Sequence, residues 1–151
     1  MSGLISIFFS VVLTLFSCMA FAPNALAVGT IDGGQLAPCP ASPNCVVSQN
    51  ADEEHQIEPI SYHGDRANAK EALLKVLSVV PRTEVVEQAD NYIHAESTSR
   101  IFKFVDDVEF YFPEAEPVIQ IRSASRVGES DLGVNRRRLE QIRLAMADLG
   151  V

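Results

Sequence analysis

The stretch VEFYFPEAEPVIQIRS, residues 108–123, decides how the chain folds. Two alternating runs flank a loop that begins and ends on proline, Pro113 and Pro117, and this pattern predicts a hairpin. If Phe110, Phe112, Ile119 and Ile121 share the buried face, the register follows, because a one-residue slip would turn half of them into water. That register sets Glu109 opposite or diagonal to Arg122 on the other face, and Tyr111 near Gln120. An acid and a base are thus predicted to meet although only apolar residues entered the argument.

Upstream, the period stays near two. Thr83–Gln88 is rich in β-branched residues, Ala89-Asp90-Asn91 makes a turn, and Tyr92–Thr98 alternates with Ile93, Ala95 and Ser97 on one face. Ile101–Val105 reads as a further strand before Val108–Phe112. Before this block, Ala69, Ala72, Leu73, Val76, Leu77 and Val80 form one helical stripe, with Asp65 or Asn68 as cap and Pro81 as stop. After it, a polar loop with Gly128 and Gly133 leads to a second helix from Asn135 to Leu149. Leu139, Ile142, Met146 and Leu149 are its stripe, and Gly150 suits its end. The expected fold is α+β: an antiparallel sheet of four to five strands with two helices on one face. The other face is then expected to be polar and partly wet.

The N-terminal part reads differently. The first 27 residues carry no charge, run apolar from Leu4 to Ala22, and end in Ala25-Leu26-Ala27. This is the pattern of a secretory signal cleaved after Ala27; a run of this length retained at the N-terminus would instead serve as a membrane anchor. Three parts follow: a signal peptide at 1–27, a loop-rich entry segment at 28–50, and a single α+β domain at 51–151. Three prolines between Ala37 and Cys45 argue against helix or central strand in the entry segment. Its two cysteines, Cys39 and Cys45, are expected to form a disulfide in an oxidising compartment. Export to a periplasm or thylakoid lumen follows, with membrane association only if the leader stays attached.

All charged residues lie after Ala27 and the net charge is −8, which disfavours nucleic acid as a partner. The sequence lacks GxGxxG, Walker-type, HExxH and GxSxG patterns, so no cofactor or catalytic residue is assigned. Cys39 and Cys45 lack the further ligands a zinc site needs. Asp106, Asp107 and Glu109 lack a calcium-loop spacing, and no metal site is assigned either. Six of the 12 basic residues fall between Arg122 and Arg143. Guanidinium forks match carboxylate and phosphate oxygens. The candidate ligand-binding residues are therefore Asp107, Glu109, Arg122, Ser123, Ser125, Arg126, Asn135 and Arg136, facing an anionic small ligand or a protein partner. Pairing of the arginines with Asp106, Asp107, Glu109 and Asp131 is the equally open account of the same residues.

Three segments, CPASPNCVVSQ at 39–49, FVDDVEFYF at 104–112 and IRSASRVGESDLGVNRRRLEQIR at 121–143, together resemble the domain of unknown function 1499 family. The entry GTIDGGQLAPCP at 29–40 is similar to its cyanobacterial and plastid branch. The resemblance implies a small domain, often exported or membrane-linked, and brings no catalytic residue with it. The expected function is a non-enzymatic binding or assembly module. The alternatives are a hydrolase-like enzyme for an anionic substrate, with Asp107 or Glu109 as base, or a peripheral-membrane structural protein held by its leader.

Overall fold

The computed structural model describes residues 29–31 and 34–151. The expected leader and its cleavage point lie outside them. Among the described residues no helix is long and apolar enough to cross a membrane.

In chain order the elements are β1 (Thr30–Ile31), β2 (Gln35–Leu36), β3 (Cys45–Val47), β4 (Ile60–Ser61), α1 (Arg66–Val79), β5 (Thr83–Gln88), β6 (Tyr92–Thr98), β7 (Val105–Tyr111), β8 (Val118–Ser125) and α2 (Val134–Asp148). The main sheet has six strands in the order β3-β8-β7-β6-β5, with β4 also paired to β8, and every pairing is antiparallel. The fold is α+β as expected, with a larger sheet. Two short strands share the outer edge of β8: β3 lies along 122–124 and β4 along 118–119.

The hairpin register is the expected one. Phe110 pairs with Ile121, Glu109 with Arg122 and Tyr111 with Gln120. Phe110, Phe112, Ile119 and Ile121 are all fully buried, each stabilising the fold by about 1.5–3 kcal/mol relative to exposure. They meet Leu73, Val76 and Leu77 of α1 and Leu139, Ile142 and Met146 of α2, so both helices cover one face. Asp65 caps α1 by accepting from the Asn68 amide at 2.9 Å. Gly150, at φ +72°, turns the chain out of α2. Leu149 does not join the stripe: the helix stops at Asp148 and Leu149 is 54 % exposed.

One expectation changes and two are refined. Ile101–Val105 is no strand; β7 starts at Val105, and residues 99–104 form a loop in which Lys103 adopts φ +57°. The entry segment supplies an edge strand, β3, which begins only after the last of its prolines. The face away from the helices is only partly wet: Glu96 and Arg126 keep side-chain exposures of 34 % and 42 %, while the rest is covered. Leu36 from the entry segment packs there with Val47 and Tyr92, beside Cys39, Ala51 and Tyr111. Helices, sheet and entry strap form three layers, and the strap closes over the polar side chains of the sheet.

Candidate functional site

The strand register arranges the polar side chains in rows. His94, Glu109, Arg122 and Val47 follow one another across β6, β7, β8 and β3, and Glu96, Asp107, Ala124 and Cys45 form the next row. Alternation puts both rows on the strap-side face.

In the first row Glu109 and Arg122 are fully buried and joined Oε2 to Nη1 at 2.5 Å. Glu109 Oε1 also accepts from the Tyr92 hydroxyl at 2.7 Å and the Gly29 amide at 2.6 Å. Burial, and then the negative charge of Glu109, push the Tyr92 phenol well above its usual range, so it stays a donor. Nε and Nη2 of Arg122 have no hydrogen-bond partner among the described residues.

In the second row Asp107 accepts from Arg126 Nε at 3.0 Å and Nη2 at 2.7 Å, and lies 2.8 Å from His94 Nε2. Burial alone would raise its pKa, but the hydrogen bonds from His94 and Arg126, with their charges, hold it at about 2. Arg126 also reaches Glu96 at 2.5 Å, and its pKa is raised, chiefly by the hydrogen bond to Asp107. His94, Glu96 and Asp107 each present a ligand atom within 4.8 Å of the others. The Arg126 guanidinium already pairs with both carboxylates there.

A separate polar knot sits on the helix side. Ser123 Oγ donates to Asn135 Oδ1 at 2.5 Å, and Asn135 Nδ2 donates to Ser125 Oγ and the Asn44 carbonyl at 3.0 Å each. Arg138 joins it, meeting Asp106 at 2.6 Å and Asn135 at 2.7 Å. Asp131 caps α2 by accepting from the Gly133 and Asn135 amides.

The eight candidates therefore do not converge. Asp107, Glu109, Arg122 and Arg126 lie on the strap side, whereas Ser123, Ser125 and Asn135 lie on the helix side. Arg136 stands apart, donating to the carbonyls of Gln56 and Glu54 at 2.7 Å each. Cys39 and Cys45 are bonded, with Cα atoms 5.6 Å apart, and tie the strap to β3.

A further concavity that could take a ligand is one that spacing does not reveal. A cleft of about 350 Å³ lies between the α1–β5 turn, the end of β6 and the first turns of α2. Arg82, Arg100, Arg137 and Arg138 line it, over Val80, Pro81 and Val134, and no carboxylate is part of its wall. Arg82 Nε donates to the Thr98 carbonyl at 3.0 Å and Arg137 Nη1 to that of Leu132 at 2.8 Å, which holds both forks in place without neutralising them. Arg100 has no hydrogen-bond or ion-pair partner among the described residues. The local sequence held one signal, the Arg136-Arg137-Arg138 run at the start of α2, whereas Arg82 and Arg100 come from distant turns.

No curated protein matches the chain. The family described as "Protein of unknown function (DUF1499)" matches residues 35–146, from β2 nearly to the end of α2, so the chain belongs to that family.

Proposed function

We propose that this chain is an exported binding module that takes the anionic group of a small ligand or partner in the arginine-lined cleft. One contrast carries the reading. Arg122, Arg126, Arg138 and Arg143 each meet a carboxylate, whereas Arg82, Arg100 and Arg137 meet none. On a domain of net charge −8, three unneutralised guanidinium groups in one concavity form a local anion site.

The same geometry weighs against the hydrolase reading. A general base needs a free lone pair within reach of a substrate proton. Asp107 is held by His94 and Arg126, and Glu109 is enclosed by Tyr92, Gly29 and Arg122. Export to a periplasm or thylakoid lumen, and a place in the cyanobacterial and plastid branch of the family, belong to this proposal. The apolar leader and the Cys39–Cys45 bond support export.

Titrating the protein with inorganic phosphate, followed by amide NMR shifts, tests the cleft. Saturable shifts are expected at Ser99, Arg100, Val134 and Arg137, and should vanish in R100A/R137A. Equal binding by that variant, or no saturable shift in the wild type, would overturn the reading.

A further inference from the structure

The loop joining β6 to β7 carries three apolar side chains in water. Ile101 is 77 % exposed, Phe102 71 % and Phe104 48 %. The loop is a formed projection rather than a slack connection. Its base is closed by the Ser99 amide donating to the Phe104 carbonyl at 2.8 Å and the Phe104 amide donating to Ser99 Oγ at 2.9 Å. The Phe102 and Phe104 rings stack with centroids 5.5 Å apart. Lys103 holds φ +57°, a backbone conformation disfavoured for a residue with a Cβ. Such exposure disfavours the isolated domain in water and is relieved if the tip enters an apolar medium.

The loop also begins at the cleft. Arg100, directly before Ile101, lines it, as does Val134, which is 41 % exposed. Leu132, 84 % exposed, precedes Val134, and its carbonyl holds the Arg137 fork. Apolar tips therefore flank a cationic concavity on both sides, with Lys103 as a further charge between the aromatics.

We infer that this end of the molecule docks on an anionic lipid surface, with a headgroup phosphate in the Arg82/Arg100/Arg137 cleft and Ile101 and Phe102 in the interface. The inference rests on the cleft reading and names its ligand. A membrane fits because its boundary sets anionic groups directly beside hydrocarbon, as the bare cations here adjoin the apolar tips. A lipid supplies both complements in one molecule: an anion bonded to a hydrocarbon tail. Aromatic side chains suit that boundary, and basic residues near an anionic surface add to their hold.

The test uses the purified full chain and variants with an identical N-terminus, so the apolar run before Ala27 contributes equally to all. Sedimentation with phosphatidylglycerol and with phosphatidylcholine vesicles is compared with the phosphate titration. Wild type should partition to the anionic vesicles and release them as salt rises. I101S/F102S should lose roughly tenfold or more of that partitioning while binding phosphate normally, since two exposed side chains are removed. R100A/R137A should lose both activities. Binding of phosphate without loop-dependent vesicle binding would overturn the lipid inference and leave the cleft standing. Loop-dependent vesicle binding without phosphate binding would overturn the cleft reading and with it the assignment of the headgroup. Both variants alter exposed positions, and unchanged thermal unfolding would show that the fold is intact.

Discussion

Glu109 and Arg122 stand opposite each other on β7 and β8, both fully buried, with Oε2 and Nη1 2.5 Å apart. The pair owes its position to its neighbours: burying Phe110 against Ile121 forces the next residue along each strand onto the strap side. Taking two charges out of water is costly, and their attraction repays it only while both are present.

Removing one partner should therefore be worse than removing both. E109L or R122M alone should lower the unfolding free energy by about 3–5 kcal/mol, since each leaves a charge buried without its complement. E109L/R122M should lie closer to wild type than either single variant. Urea denaturation of the four proteins gives the coupling directly. Strict additivity would show that the pair acts only as packing.

Acid should weaken the second row. The folded pKa of Asp107 is about 2 against 3.8 for the free side chain, so the unfolded chain takes up the proton first as pH falls. The stabilisation is complete above about pH 4 and is lost as pH drops through about 2. It amounts to at most about 2 kcal/mol, because Arg126 is 42 % exposed and screened by solvent. In unfolding measured from pH 6 to pH 2, the gap between wild type and D107N should narrow across that window. A constant gap would mean that the Asp107 carboxylate is not specially stabilised.

The Cys39–Cys45 bond closes a loop of sequence separation 6 and anchors the strap beside β3. Its removal by C39S/C45S should cost about 2 kcal/mol through chain entropy. The loss should show first in the layer it holds: amides of β3 and residues 35–37 should exchange faster with solvent than those of α1. Uniform acceleration would place the bond's effect in global stability alone.

What the sequence reveals follows from periodicity. The hairpin register and the helical stripes were legible because each rests on several side chains repeating at one spacing, and Glu109–Arg122 came with the register. Residues 99–104 misled because Ile101, Phe102 and Phe104 look like strand residues, whereas their alternation faces solvent and Lys103 breaks the extended backbone. The burial of the strap-side face was hidden for another reason. It depends on Leu36 crossing over Tyr92 and Val47, a contact between distant segments that no local pattern encodes. The cleft is similarly assembled from residues 82, 100 and 137. Candidate residues that looked contiguous in 122–126 were divided by strand alternation between two faces.

The Gly29 amide reaches Glu109 across 80 positions of chain, and β3 joins β8 over a comparable span. The first described residues thus find their partners in strands made much later. During synthesis the strap must wait uncommitted until β8 has followed, and long-range pairing of this kind is slow. Maturation of this protein should be gated by arrival of its C-terminal third, and a nascent chain stopped before residue 118 should leave Cys39 and Cys45 open to exchange.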